Sequence, residues 1–175
     1  MLPNDYIGQP CSLARTLEVV GERWTLLIVR DAFYGVRRFG DFATHLQIPR
    51  GVLAERLKSL LAAGVLERVP GRGARSEYAL SAKGRSLWPV IRAMTSWGDM
   101  HYAPAGPRRL FRHVADGGDL DVGCRCSACG AVIEAGDAEV SPGPGLEPPR
   151  DEPVARALTR PHRLTEPLIA LNAAA

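Results

Sequence analysis

No apolar run in the 175 residues approaches the length of about 20 needed to cross a bilayer, although 46% of the chain is hydrophobic. The opening Met1-Leu2-Pro3-Asn4-Asp5 lacks the basic start of a signal peptide, so a cytoplasmic protein is expected. Cysteine is scarce: of the four, Cys11 stands alone, while Cys124, Cys126 and Cys129 cluster. In a reducing cytosol, permanent disulfides are not expected of them. No second cysteine pair accompanies the cluster, which excludes a four-cysteine ribbon. No segment repeats, which excludes a solenoid. Around Cys126 there is neither the strand-helix context of a thioredoxin-like fold nor an evident base, which argues against an enzyme and against thiol redox catalysis in particular.

What is present, from Cys11 to about Tyr102, is a series of amphipathic helical segments, a short basic hairpin and one more helix. That order is the plan of a winged helix-turn-helix, a DNA-reading module. Phe39 to Leu46 reads as one short helix and Gln47-Ile48-Pro49 as a tight turn. Arg50 opens the next helix, because a proline's missing N–H would be unpaired just before a first helical turn anyway. Leu53, Leu57, Leu60 and Leu61 then recur at i, i+4, i+7 and i+8, a single stripe that must face a core. The opposite face carries Arg50, Gly51, Ala54, Glu55 and Lys58, basic or small residues that suit the major groove. Gly64 is the expected left-handed cap. Val65 to Val69 and Ser76 to Leu80 read as strands, and the loop between them carries Arg72 and Arg75 on a glycine-rich backbone that can approach phosphates closely. Ser81 offers an N-cap. Leu87, Val90, Ile91 and Met94 supply the apolar face of a long helix running towards Trp97 and Tyr102, with Pro89 predicting a kink or a later start.

These residues resemble the HxlR-type regulators, relatives of the MarR-type regulators. The resemblance rests on Cys11-Ser12-Leu13-Ala14-Arg15-Thr16-Leu17, on Gly21-Glu22-Arg23-Trp24-Thr25-Leu26-Leu27-Ile28-Val29-Arg30 and on Arg37-Arg38-Phe39-Gly40-Asp41-Phe42. It continues through Leu53 to Leu60, Gly64 to Arg68 and Glu77 to Leu87, and so covers about the first hundred residues. It implies a homodimeric bacterial transcription regulator, more often a repressor, paired through its terminal helices. Double-stranded DNA and a second copy of the chain are the implied partners, with a small-molecule inducer as a further candidate. In some members a cysteine at the place of Cys11 senses oxidants or electrophiles. The helix dipole and Arg15 would favour its thiolate, but a buried, inert Cys11 is the plainer alternative. Arg56, where relatives commonly hold an arginine, is a DNA candidate that could instead pair with an acidic residue of the protein.

The expected fold class is α+β: a mainly helical winged helix-turn-helix over residues 5–103 with a two- to three-stranded wing, then a small β-rich, ribbon-like cysteine module near 110–140. Half of the 14 prolines fall after Val140, so residues 141–175 are expected to be extended or mobile, with short turns conceivable at Val154 to Leu158 and Leu164 to Leu171. Charge divides the same way. Residues 1–103 hold 14 Lys and Arg against 9 Asp and Glu, and residues 104–175 hold 8 against 10, so the basic excess lies on the DNA reader. Cys126-Ser-Ala-Cys129-Gly130 has the shape of a zinc knuckle. Cys124 is the expected third ligand of a structural zinc, with His113 or Asp116 as the fourth; the alternative is a vestigial ribbon without metal. His45 and His101 read as structural. The function expected is sequence-specific DNA binding. A winged-helix protein-interaction adaptor and, further off, a thiol oxidoreductase built on the cysteine cluster are the rivals.

Overall fold

A computed structural model describes residues 6–71 and 76–168. Its order is α1 (Ser12–Val20), α2 (Thr25–Phe33), α3 (Phe39–Leu46), α4 (Arg50–Ala62), β1 (Leu66–Pro70), β2 (Ser76–Leu80), α5 (Ala82–Arg85) and α6 (Trp88–Tyr102). There follow β3 (Arg109–His113), a 3-10 turn, β4 (Ala138–Pro142), α7 (Pro153–Ala157) and β5 (His162–Arg163). No helix among the described residues is long and apolar enough to cross a membrane.

The helix-turn-helix forms where the spacing places it. Pro49 is the N-cap of α4, and Gln47 takes the left-handed conformation (φ 52°) that lets the chain reverse in three residues. Leu53, Leu57 and Leu60 are fully buried on one face of α4. Gly64 (φ 69°) ends the helix, and the chain turns into an antiparallel hairpin in which Leu66 faces Leu80 and Pro70 faces Ser76. Among the described residues the wing has two strands. The Ser81 hydroxyl caps α5 by accepting from the Gly84 N–H at 3.0 Å. Pro89 sits in the first turn of α6, so its effect is a later start: the short α5 takes up the residues before it.

The C-terminal third differs from expectation. Residues 141–168 are not a free tail. β4 is the middle strand of a three-stranded antiparallel sheet, paired with β3 from Arg109–Pro142 to His113–Ala138 and with β5 at Glu139–Arg163 and Val140–His162. The chain then returns to the winged helix. The Thr165 N–H donates to the Phe33 carbonyl at 2.7 Å and the Leu168 N–H to the Gly35 carbonyl at 3.1 Å. Gly35 makes that approach possible: a Cβ there would lie 1.8 Å from the Glu166 carbonyl oxygen. Leu158, Leu164 and Leu168 are buried to within 1%. The prolines forbid long elements, as expected, but a short helix, a two-residue strand and three leucines suffice to dock the segment. Ile169 to Leu171 lie outside the described residues.

Nor does the cysteine-bearing segment stand apart. One continuous core joins Ile28, Phe33, Phe42 and Leu57 to Phe111, Leu120, Val140, Leu158 and Leu168. Trp88 is the pivot, its ring 5.5 Å from Phe33 and 5.4 Å from Phe111. Buried Arg92 lies over Phe111 and donates to the Leu120 carbonyl at 3.1 Å, tying α6 to the segment.

Candidate nucleic-acid interface

Burial of the leucine stripe fixes which way α4 faces. Arg50, Gly51, Ala54, Glu55 and Lys58 are all exposed, on the side turned away from the core. The Arg50 guanidinium lies 5.0 Å over the Phe39 ring, so the start of α3 holds the side chain that opens α4. Nothing lies within 4 Å of a Cβ placed on Gly51, which leaves that surface open to a groove. Arg56 is on another side: it donates to the Glu22 carboxylate at 3.0 Å, tying α4 to the turn before α2. It is withdrawn from the DNA set, because two positions before Lys58 the helix has rotated by about 200°. Arg72 and Arg75 lie outside the described residues. At the base of the wing, Arg68 lies 5.0 Å over Tyr78 and Arg38 pairs with Glu77 at 3.0 Å.

Behind this surface lies a charged network that the periodicity did not reveal. Asp31 is fully buried in α2, contacted by Arg30 at 2.7 Å and by His45 of α3 at 2.7 Å. Burial pushes its carboxyl up, but Arg30 and the His45 contact outweigh that and hold it below its usual range. His45 is structural, as its lack of a metal-spaced partner suggested. Glu152 of the C-terminal segment comes to 4.0 Å of His45 and caps α7 by accepting from Val154 and Ala155, while Arg150 donates to the His45 carbonyl. The available signal was an aspartate at a core position, among Ile28, Val29, Ala32 and Phe33.

A second surface is apolar and, among the described residues, uncovered. On α1, Leu13 and Leu17 are exposed; on α6, Val90, Met94, Trp97 and Met100 are exposed, Trp97 by 57% and Met100 by 75%. Of the face expected on α6, Ile91 enters the core and Leu87 is half-buried, and the rest of it has no cover among the described residues. Cys11 is exposed at the N-cap of α1, and the N–H groups of Ala14 and Leu13 hold its thiol below the ordinary value.

The other cysteines part company. Cys126 and Cys129 approach His113 and Asp116, the four donor atoms lying within 4.8 Å of one another. Cys124 does not join them. Its left-handed backbone (φ 60°) breaks the alternation that would turn its thiol towards Cys126. It is buried instead on the wall of a cleft with Trp88, Pro89 and Ile133, and burial pushes its thiol up. Of the expected set, Cys124, Cys126 and Cys129 with His113 or Asp116, the structure leaves out Cys124 and brings both His113 and Asp116 beside Cys126 and Cys129.

The sequence profile of the HxlR-like helix-turn-helix family matches residues 19–105. An uncharacterized HTH-type transcriptional regulator of Mycobacterium tuberculosis is 45% identical over 139 residues, which are 78% of this chain and 88% of the relative. The chain belongs to the HxlR-like helix-turn-helix family. It is, with its relatives, an HTH-type transcriptional regulator. The uncharacterized regulator YvaP of Bacillus subtilis is 35% identical over 86 residues, 47% of this chain and 80% of that protein. The crystal structure of PA1607, described as a candidate transcription factor, superposes with a TM-score of 0.58 at 37% identity, over 74% of this chain and 93% of its own. The mycobacterial likeness is longer than the family match, and so runs on into the C-terminal segment.

Proposed function

We propose that two copies of this chain bind a two-fold symmetric DNA site in the cytoplasm and repress nearby transcription. In this reading the exposed face of α4 enters successive major grooves, with Arg50, Gly51, Ala54 and Glu55 at base edges and Lys58 at a phosphate, while Arg72 and Arg75 reach the backbone or the minor groove from the wing. The observation that carries the reading is that Arg50, Gly51, Ala54, Glu55 and Lys58 are all exposed while Leu53, Leu57 and Leu60 of the same helix are buried and Leu61 is half-buried. The apolar faces of α1 and α6 supply the dimer contact, since paired exposed apolar helix faces seek cover. For a small-molecule inducer we propose the 340 Å³ cleft bounded by Val19, Val20, Val65 and Leu87, with Arg15 and Lys83 at its rim, because it lies between α1 and the elements after the wing.

The test is selection of genomic fragments by the purified protein, followed by binding of Arg50→Ala to the selected site and to random duplex. A loss of about 1 to 3 kcal/mol confined to the selected site is expected of a base contact. An equal loss on both would make Arg50 a phosphate contact. Failure to enrich any fragment would favour the adaptor reading.

A further inference from the structure

We propose that His113, Asp116, Cys126 and Cys129 hold one zinc ion per chain as a closed, structural site. The His113 Nδ1 lies 3.0 Å from an Asp116 carboxylate oxygen. The Cys126 Sγ lies 3.2 Å from the other carboxylate oxygen, and the Cys129 Sγ lies 3.6 Å from His113 Nδ1. Zinc bound tetrahedrally at about 2.0 to 2.3 Å separates its donors by about 3.3 to 3.8 Å. Those three contacts are within a few tenths of an ångström of that range, and all four donor atoms lie within 4.8 Å of one another, so closing on the ion takes side-chain movements of at most about 1 Å. Two thiolates and an imidazole select a borderline-soft ion over calcium or magnesium, which take oxygen.

The frame around the donors is built for sulfur. His113 and Asp116 come from the end of β3 and the turn after it, three residues apart; Cys126 and Cys129 come from a second turn, also three apart. The Ala128 N–H donates to Cys126 Sγ at 3.4 Å, the outer-shell bond expected of a metal-bound thiolate. Gly118 lets the turns meet, since a Cβ there would lie 2.4 Å from Cys126 Sγ and 2.9 Å from Ala128.

The segment also needs a clamp. Between β3 and the 3-10 turn at Ala135 the backbone is held by turn bonds and by isolated bridges rather than by a strand ladder, Leu120–Cys126 and Arg125–Val132 among them, and Val114, Val122 and Val132 are exposed. Leu120, Cys124 and Ile133 anchor the loop to the core, and its outer turns, which carry the four donors, are the part that gains from a metal cross-link. On binding, the two thiols release their protons to solvent and both sulfurs, one carboxylate oxygen and the imidazole fill the coordination shell. No position remains for an activated water.

The test is elemental analysis of the full chain purified under reducing conditions without chelator, with cobalt replacement as a second readout. About one zinc per chain is expected, together with the intense sulfur-to-cobalt absorption and visible bands of a tetrahedral site. Cys124→Ala should keep the full equivalent. His113→Ala and Asp116→Ala should each weaken zinc retention at least about tenfold against a competing chelator. Less than about a tenth of an equivalent, with no cobalt spectrum in the reduced wild-type protein, would show a hydrogen-bonded thiol cluster and overturn the proposal. So would retention of zinc in Cys126→Ser/Cys129→Ser. These readouts need no DNA, so they stand or fall apart from the DNA-binding proposal.

Discussion

At the residue scale, Asp31 shows how much rests on one buried charge. Its cost of burial is offset only because Arg30 and His45 both reach it, and removing one member of such a set leaves the others uncompensated. Asp31→Ala is expected to cost about 3 to 5 kcal/mol in urea unfolding, well above the average substitution. The same residue gives a pH dependence. Its native carboxyl sits below the unfolded value of about 4. As acid is added, the unfolded chain takes up this proton before the native one does. The stability contributed is complete above about pH 4 and is lost as pH falls through the native value, so the wild-type advantage over Asp31→Asn should shrink on acidification. Cys11 supports a different residue-scale prediction. It is exposed and its thiol is lowered by the helix-start N–H groups, whereas burial raises that of Cys124. Cys126 and Cys129 are the thiols that the proposed zinc would hold. Timed alkylation near pH 7 with mass spectrometry should therefore modify Cys11 first, and prior labelling of Cys129 would remove the basis for a sensor at Cys11.

At the scale of elements, the winged helix was legible because each part carries its own local signal. Pro49, the leucine stripe, Gly64 and the Ser81 cap act within a few residues, and all four lie where the pattern puts them. The C-terminal segment carries no such signal: its buried leucines, 158, 164 and 168, follow neither a helical nor a strand period. The segment is docked by bonds from Thr165 to Phe33 and from Leu168 to Gly35, over 120 residues away, and proline content alone suggested mobility. Leu164→Ala should cost about 2 to 5 kcal/mol and lower the single unfolding midpoint of the whole chain. Two resolved transitions would instead show that the segment folds apart from the winged helix.

At the scale of the whole molecule, the apolar faces of α1 and α6 predict the assembly. Trp97 and Met100 are too exposed for a comfortable monomer surface, and in a dimer they would be covered. Trp97→Glu with Met100→Glu should shift sedimentation from two chains to one. Because each half-site then binds alone, operator affinity should fall by at least about a hundredfold while the helical content by circular dichroism is kept. A wild-type protein that sediments as one chain at micromolar concentration would remove the dimer from the proposed function.

Sequence by itself determined the order of elements in the winged helix, the exposed face of α4 and the chemistry available at Cys126 and Cys129, because helical period, caps and turn residues act over short spans. Tertiary structure decided which groups meet. It paired Arg56 with Glu22, set Asp31 against His45, brought Asp116 to the thiols in place of Cys124, and folded the proline-rich segment onto α2 and α3. Each of these depends on a backbone conformation or a long-range approach, such as φ 60° at Cys124 or the absent side chain of Gly35, that residue spacing does not encode.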